Sequence, residues 1–278
     1  MDISGNLLRG DIKQDFVSGK DSGEFRPGLP DTIVIHYTAG PTADSAIHTF
    51  RDSGTKASAH VIIDTDGSII QVIPFNKIAW HAGVSRWKQR NNLNQFSIGI
   101  EIVNAGNLEP DPNGFKSWFG RIYPESEVVQ MTHPQQSKPT FWHKYTDAQI
   151  KAVFELCSVL AGRYNITEIV GHYDISPGRK LDPGPAFPMQ ELRDKILKPQ
   201  KGPKTKSQGG VVTASSLNFR SAPSASSETL TNPLPKGTKV EVLEENGDWY
   251  KVEYKLKGWV AKRFVESAQH PINQDSDS

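Results

Sequence analysis

The residues best suited to chemistry are concentrated in one loop. Residues 172–187 follow a short apolar run, and their Pro- and Gly-rich sequence presents His172, Arg179, Lys180 and Asp182. A loop of this composition has little capacity to form a core, and such loops carry function more often than packing.

A second histidine, His36, ends a short β-branched run. Together His36, His172 and Asp182 could converge on a zinc ion and leave its fourth position to water, which lowers the pKa of that water to about 7. Each residue taken singly also has an ordinary explanation, as a strand-end histidine or as a turn-forming aspartate before Pro183. Spacing alone does not bring His36 to His172, so both interpretations stay open here.

Several elements must position these groups. Residues 32–36 are typical of a buried strand, residues 42–53 suit a helix, and residues 60–63 and 69–73 flank a turn as a hairpin does. In residues 97–103, Ile98, Ile100 and Ile102 alternate in the manner of a strand, which puts Glu101 on the opposite face. A carboxylate in the middle of a strand is unusual.

Residues 146–164 predict the clearest helix. Thr146 and Gln149 form a capping-box pair, and apolar residues then recur at helical spacing through Tyr164. Cys157 falls on the apolar stripe, so we expect a buried thiol rather than a nucleophile.

Composition limits the function classes. The 278 residues are 36% apolar and 23% charged, which fits a globular protein of about two domains. A formal net charge of +1 gives no basic field for nucleic acid. One cysteine allows neither an internal disulfide nor a thiolate zinc cluster. The sequence shows no signal peptide and no apolar run long enough to span a membrane.

Residues 198–210 predict a linker, because Pro, Gly and Lys replace the apolar periodicity there. The residues before it alternate between strand and helix patterns, whereas those after it show only short strand patterns. We therefore expect a larger α/β unit followed by a small all-β unit.

Five motifs in the first unit resemble the zinc-dependent N-acetylmuramoyl-L-alanine amidases (the amidase-2 family) of the AmpD and AmiD type. They are IHYTA at 35–39, SAH at 58–60, WHAG at 80–83, SIGIE at 97–101 and the segment 172–187. The resemblance covers residues 31–197 and implies a mixed central sheet flanked by helices, in a catalytic domain at residues 1–197.

The resemblance also implies roles. His36, His172 and Asp182 correspond to ligands of one zinc ion, Glu101 to the catalytic carboxylate, and Lys180 to the residue that stabilises the oxyanion. The reaction implied is hydrolysis of the amide between N-acetylmuramic acid and L-alanine by a zinc-activated water. His81, Arg179 and Tyr37 are candidates for substrate binding; His81 could instead orient a neighbour, and Arg179 could be a solvated charge.

The sequence leaves two interpretations open for His60 and two for the aromatic residues of 104–145. His60 is expected to be a strand residue rather than a fourth ligand. Residues 104–145 contain aromatic side chains that could stack on sugar rings or form a local core, and the local core is favoured. These side chains are Phe115, Trp118, Phe119, Tyr123, Phe141 and Trp142.

Residues 211–267 resemble a bacterial SH3 domain, a small all-β barrel, which implies attachment to the cell wall; the alternative is a barrel that only packs against the catalytic unit. Residues 268–278 form a polar tail.

The expected partner is peptidoglycan or muropeptides, and the expected state is a monomer. A non-catalytic peptidoglycan-binding protein is the alternative function. The site of action is expected to be the cell wall, the periplasm or the exterior, with the cytoplasm as the alternative.

Overall fold

A six-stranded sheet forms the centre of the first unit in the computed structural model, which describes residues 1–197, 208–221, 223–225, 227–246 and 248–255. The chain divides into two units, Met1–Gln200 and Lys201–Ser278. In spatial order the central strands are Glu168–Gly171, Thr32–Tyr37, Ser97–Ile102, Val61–Ile63, Ile69–Gln71 and Lys13–Gln14.

The central sheet is mixed, as predicted. Thr32–Tyr37 runs parallel to both Glu168–Gly171 and Ser97–Ile102, and Ser97–Ile102 is also parallel to Val61–Ile63. Val61–Ile63 and Ile69–Gln71 form the predicted antiparallel hairpin. Four neighbouring parallel strands therefore end at the same edge of the sheet.

Helices cover both faces of this sheet. The four described in the first unit are Ala43–Arg51, Asp147–Arg163, His172–Ile175 and Met189–Leu197, with 3-10 turns at Leu93–Gln95 and Glu125–Glu127. Asp147–Arg163 begins at the capping box of Thr146 and Gln149, as predicted. Its buried side chains, Cys157 among them, pack with Met189–Leu197 against the isoleucines of the central strands. Ala43–Arg51 packs on the other face, against Ile62 and Ile70.

A second sheet follows the strand that carries Glu101. Its five antiparallel strands, in spatial order, are Ile122–Tyr123, Gly114–Lys116, Asn107–Asp111, Thr140–His143 and Val128–Met131. We call these strands the accessory sheet. Tyr123 is buried with Phe115, Phe119 and Phe141 packed around it, so the prediction of a local aromatic core is confirmed for these residues. Two of the six aromatic residues fall outside this cluster: the side chain of Trp118 is exposed, and Trp142 is buried elsewhere, stacked on His133.

Short strand pairs complete the first unit. They are Asp2–Ser4 with Leu7–Arg9, Asp21–Glu24 with Lys77–Ala79, and Arg86–Trp87 with Arg90–Asn91. None of the helices in the described ranges is long and apolar enough to cross a membrane.

The described part of the second unit contains only strands. Gln208–Val211, Lys239–Asn246 and Trp249–Glu253 form one antiparallel sheet, and Ser216–Leu217 pairs with Leu234–Pro235. The short strands expected after the linker are present in the described residues, although Gln208–Gly210, which the sequence analysis assigned to the linker, already belong to this sheet. Residues 198–207 of the linker, the end of the SH3-like segment at 256–267 and the tail lie outside the described residues.

Candidate metal centre

The site is built where three adjacent parallel strands end. His36 is the penultimate residue of Thr32–Tyr37, and its register partner on the next strand is Glu101. On the other side, His172 directly follows Glu168–Gly171. Side chains from the carboxyl ends of parallel strands commonly form a ligand site at that edge. Strand order thus unites residues that are far apart in the chain.

Asp182 completes the group from the loop at residues 172–187, which we call the site loop. The backbone N–H of Tyr173 donates to the Asp182 carbonyl at 2.9 Å, so the loop closes back on its own start. His36 Nδ1 lies 2.9 Å from His172 Nδ1 and 3.0 Å from Asp182 Oδ2, and His172 Nδ1 lies 2.9 Å from the same oxygen. All three side chains are buried and could together hold a metal ion.

The hydrogen bonds around the two imidazoles fit a cation at this point. His172 Nε2–H donates to the Ala82 carbonyl at 3.1 Å, which leaves a lone pair on Nδ1. His81 Nε2–H donates to the Ser97 carbonyl at 3.2 Å, so His81 Nδ1 accepts from His36 Nε2–H at 3.0 Å. Both Nδ1 atoms then turn lone pairs toward Asp182. Three lone pairs this close repel one another unless a cation lies between them. Metal-binding histidines typically donate their other ring N–H to a second partner, as His36 and His172 do here.

Electrostatics favour the protonation states that a metal ion requires. Burial and the neighbouring His172 lower the pKa of His36 to about 4, so its ring is neutral at neutral pH. Burial opposes ionisation of Asp182, but hydrogen-bonding contacts with His172 and His36 hold its pKa below the usual range. Neutral imidazoles and an ionised carboxylate are the ligand forms of these residues.

Glu101 stands beside this donor set with one carboxylate oxygen unused. Its Oε2 is buried and has no hydrogen-bond partner within the described residues. Burial raises the pKa of Glu101 well above its usual range, and the charge of Asp182 adds to the rise while Lys180 lowers it. A buried carboxyl with a raised pKa is suited to accepting and returning a proton.

Lys180 and Arg179 occupy the same loop with different surroundings. Lys180 is half-buried, and its ammonium has no hydrogen-bond partner within the described residues, while its charge acts on both His36 and Glu101. Arg179 Nη2 donates to the carbonyls of Ala82 at 3.1 Å and Val84 at 2.7 Å. The Nη2 group of Arg179 therefore holds the site loop against the neighbouring WHAG segment.

His81 lies behind the donor set, because both of its ring nitrogens are engaged with His36 and Ser97. Gly99, in the middle of the central strand, gives the ring its space: a Cβ there would lie 2.3 Å from His81 Cγ. This geometry favours the orienting role over substrate contact for His81. The SIGIE and WHAG motifs are thus connected by one close approach.

His60 and Cys157 stand outside the donor set. His60 Nε2–H donates to the Lys77 carbonyl at 2.8 Å and Nδ1 accepts from Gly99 N–H at 3.0 Å, so neither nitrogen is free to bind a metal. Cys157 is fully buried, and burial raises the pKa of its thiol. Both are structural residues, as the sequence predicted.

The sequence did not predict that residues after the accessory strand Val128–Met131 would hold the site loop. His133 is buried and donates from Nε2 to the carbonyl of Leu181, immediately before Asp182, at 3.1 Å. Gln135 donates to the Tyr173 carbonyl at 2.6 Å and accepts from Gly178 N–H at 3.0 Å. These residues lie in a polar stretch without periodicity, and only the presence of a histidine marked it.

Two cavities are lined in part by neighbours of the donor residues, although no donor residue lines either of them, and they share no lining residue. The first, of about 860 Å³, is lined in part by Trp80, Gly83, Arg86 and Arg179. The second, of about 320 Å³, begins at Tyr37, the residue after His36, and extends to Trp118.

Comparison with known proteins gives two family matches. Residues 26–185 match the family described as N-acetylmuramoyl-L-alanine amidase, and residues 215–266 match the bacterial SH3 domain. The two matched ranges lie on either side of the predicted linker.

Individual relatives match the first range. The chain is 34% identical over 169 residues to N-acetylmuramoyl-L-alanine amidase AmiD of Escherichia coli (strain K12), covering 58% of this chain and 51% of AmiD. It is 33% identical over 188 residues to 1,6-anhydro-N-acetylmuramyl-L-alanine amidase AmpD of the same strain, covering 61% of this chain and 84% of AmpD. The chain thus spans about half the length of AmiD and most of AmpD.

One solved structure among the matches is E. coli AmiD in complex with anhydro-N-acetylmuramic acid-L-Ala-D-gamma-Glu-L-Lys. It is 31% identical to this chain, with a TM-score of 0.47, and the match covers 61% of this chain and 58% of that chain.

Proposed function

Since the chain belongs to the N-acetylmuramoyl-L-alanine amidase family, we propose that it hydrolyses the amide bond between N-acetylmuramic acid and L-alanine in peptidoglycan or muropeptides. AmiD and AmpD carry this activity in their names. The observation that carries the proposal is the buried Oε2 of Glu101, unpartnered beside the donor set of His36, His172 and Asp182.

We propose zinc as the metal. Two imidazole nitrogens and one carboxylate oxygen form a common catalytic zinc site, which keeps its fourth position open. A zinc ion bound there supplies Lewis acidity, which makes water more acidic and polarises a carbonyl oxygen. His36, His172 and Asp182 would hold the ion, and the hydrogen bonds from the Nε2 atoms of the two histidines fix the orientation of their rings.

Glu101 acts as the general base and then the general acid. Its unpartnered oxygen accepts a proton from the attacking water and returns one to the L-alanine nitrogen as the amide bond breaks. A positioned group of this kind typically contributes about 10²- to 10⁴-fold in rate. A non-catalytic binding protein would gain nothing from a buried carboxylate kept without a partner, so the enzyme is favoured over that alternative.

Lys180 stabilises the negative charge that develops on the carbonyl oxygen. Among the residues that the structure describes, its ammonium has no hydrogen-bond or ion-pair partner, and Lys180 lies on the site loop two residues before Asp182. Stabilisation by one such donor is worth about 3 to 4 kcal/mol of activation free energy. Amide hydrolysis thus draws on two groups of the chain itself: Glu101 transfers the proton, and Lys180 stabilises the negative charge on the carbonyl oxygen.

Arg179 and Tyr37 are proposed to contact substrate on separate sides. The first cavity contains Lys56, Arg86 and Arg179 and no carboxylate among its lining residues, which suits the anionic stem peptide. Tyr37 lines the second cavity beside the donor set.

The second unit is proposed to hold the enzyme on the wall. The match of residues 215–266 to bacterial SH3 domains supports a catalytic domain at 1–197 followed by a separate SH3 domain that ends near 267. Because Gln208–Val211 pairs with Lys239–Asn246, we place the start of the SH3 domain near residue 208 rather than 211 and shorten the linker from 198–210 to 198–207. Tethering raises the local concentration of substrate. Co-sedimentation with purified sacculi should be stronger for the full chain than for a chain ending at residue 200. Action at the cell wall, in the periplasm or outside the cell follows from this proposal.

The function is tested with the purified full chain and a disaccharide-tetrapeptide muropeptide. Mass spectrometry should find a free tetrapeptide with an unblocked L-alanine amine and an intact disaccharide. Incubation with a chelator should abolish release and added Zn²⁺ should restore it. Cleavage within the sugar or within the peptide, or full release after chelation, would overturn the proposal.

A further inference from the structure

The cavity between Tyr37 and Trp118 lies between the end of the strand that carries His36 and the accessory sheet. One wall comes from residues 37–39 at the end of a central strand, and the other from the accessory strands Asn107–Asp111 and Gly114–Lys116. The complete lining is Tyr37, Ala39, Ala105, Asn107, Glu109, Lys116, Ser117 and Trp118. Its volume of about 320 Å³ is at the lower end of the range for small-ligand sites, which suits a single ring rather than an extended chain.

Tyr37 places this cavity next to the reacting groups. It directly follows His36, and burial raises the pKa of its phenol, with the charges of Asp182 and Glu101 adding to the rise. The backbone at Gly106 lies against its ring, because a Cβ there would come within 2.7 Å of Tyr37 Cζ. A ligand in the cavity would therefore contact the residue that directly follows His36.

Trp118 gives the cavity a fixed aromatic surface. Its side chain is 77% exposed, yet its Nε1–H donates to the Ala39 carbonyl at 2.7 Å, and Phe119 contacts it edge to face at 5.7 Å between ring centroids. The neighbouring aromatic side chains of Tyr123 and Trp142 are buried, whereas the indole of Trp118 stays outside the local core. A held, exposed indole offers a large apolar face at little cost in entropy when a ligand covers it.

Polar groups surround the indole without being used by the protein. Glu109 and Lys116 are directly opposite in the strand register, and neither side chain has a hydrogen bond or ion pair within the described residues. Asn107 donates from its amide nitrogen to the Phe141 carbonyl at 3.0 Å, which leaves its own carbonyl oxygen available to a donor. One apolar face bordered by such acceptors and donors matches a pyranose ring, whose C–H face is apolar and whose edge carries hydroxyl and acetamido groups.

The charges of the two cavities assign them to different parts of a substrate. The lining of the first cavity contains three cationic side chains and no carboxylate, whereas the second contains one lysine and one glutamate. A stem peptide carries carboxylates and favours the cationic cavity. A neutral N-acetylated sugar gains nothing from a net positive charge, so it favours the second cavity, in which one lysine and one glutamate balance.

We propose that the Tyr37–Trp118 cavity binds an N-acetylhexosamine ring of the glycan, adjacent to the muramic acid whose amide is cleaved. The proposal rests on the amidase function above and deepens it, because it makes the enzyme selective for muropeptides that retain a neighbouring sugar. Trp118 stacks on the ring, and Asn107, Glu109 and Lys116 hydrogen-bond its substituents.

The test compares two soluble substrates with the same peptide, one a disaccharide-peptide and the other an N-acetylmuramoyl-peptide without the second sugar. The wild-type chain should have about tenfold higher kcat/KM for the disaccharide-peptide. Trp118→Ala should lose this preference, mainly through KM, and leave the monosaccharide substrate unaffected. Trp118→Phe should restore part of it. Ile122→Ala, an exposed apolar residue on the accessory sheet outside the cavity, is the matched control and should behave as the wild type.

Equilibrium binding separates this proposal from the amidase function. Titration of the disaccharide-peptide into full-length Glu101→Gln and Glu101→Gln/Trp118→Ala chains measures affinity without turnover, and any contribution of the second unit is the same in both. About tenfold weaker binding by the double variant supports the cavity assignment even if no substrate is cleaved. Equal affinities, or equal losses on both substrates in the kinetic comparison, would overturn it.

Discussion

His36 Nε2 lies 3.0 Å from His81 Nδ1, and this hydrogen bond connects a predicted metal ligand to a buried histidine that itself donates to the Ser97 carbonyl. The chain of two rings determines which nitrogen of His36 carries the proton and so leaves Nδ1 free for the metal. His81 therefore acts on the metal centre without touching it.

Replacing His81 should weaken metal binding. His81→Ala removes the acceptor that holds His36 in its metal-binding tautomer, and loss of such a partner typically costs 10- to 100-fold in affinity. Competition with a chromophoric chelator measures the Zn²⁺ affinity directly. His48→Ala, an exposed histidine on the helix Ala43–Arg51, is the control and should bind Zn²⁺ as tightly as the wild type. Unchanged affinity in His81→Ala would remove it from this role.

A methyl group at Gly99 should disturb the same pair. The Cβ of Gly99→Ala would lie 2.3 Å from His81 Cγ, so the ring must move away from His36. We expect a loss of about 1 to 3 kcal/mol in the free energy of unfolding, as for other overpacked sites, and weaker Zn²⁺ binding. Urea denaturation of the metal-free chain measures the first effect. Gly162→Ala, in a helix with no atom within 4 Å of the added carbon, should instead be neutral or slightly stabilising.

The helix Asp147–Arg163 and the metal-binding histidines show what could and could not be predicted from the sequence. The helix Asp147–Arg163 was predictable because its capping box and apolar stripe are local signals. The proximity of His36 to His172, 136 residues apart, depends on strand order, which spacing does not encode; only resemblance to a family connected them. The accessory sheet escaped prediction because its strands are two to five residues long and interrupted by Gly and Pro.

The contacts that His133 and Gln135 make with the site loop lead to a prediction about metal retention. His133→Ala removes the donor to the Leu181 carbonyl and leaves that buried group unpaired, which typically costs about 1 to 3 kcal/mol of stability. Because Asp182 is the next residue, we also expect faster Zn²⁺ loss to excess chelator. Gln135→Ala, which frees the Tyr173 carbonyl and Gly178 N–H, should act in the same direction.

Gln130→Ala is the control for these two variants, since its exposed side chain belongs to the accessory strand Val128–Met131 and has no hydrogen bond to the described site loop. If His133→Ala and Gln135→Ala lose Zn²⁺ at the same rate as Gln130→Ala and the wild type, the segment that follows Val128–Met131 does not support the metal centre.

His60 should make the fold sensitive to acid. Burial lowers the pKa of His60 to about 4, against 6.5 for the ordinary side chain. The unfolded chain therefore binds a proton that the folded chain does not as pH falls from about 6.5 to 4, so stability is full above 6.5 and declines through this window. The contribution of His60 to the decline is on the order of 3 kcal/mol.

Urea denaturation at pH 7 and pH 5 measures this effect, and His60→Gln should show a smaller loss between the two values than the wild type. His48→Gln, at an exposed position, should match the wild type. Equal losses in all three chains would show that His60 does not contribute.

Glu101→Gln separates metal binding from catalysis. The amide keeps the size of the side chain but cannot accept a proton from water, so we expect Zn²⁺ affinity close to that of the wild type and a kcat lower by about 10² to 10⁴. The variant should also be as stable as the wild type or slightly more so at neutral pH, because a buried carboxylate with an unpartnered oxygen costs free energy that a neutral amide reduces. Release of L-alanyl peptide measures the rate, and chelator competition measures the metal. A variant that turns over at the wild-type rate would exclude Glu101 as the base, whereas one that loses Zn²⁺ would make Glu101 part of the metal site itself.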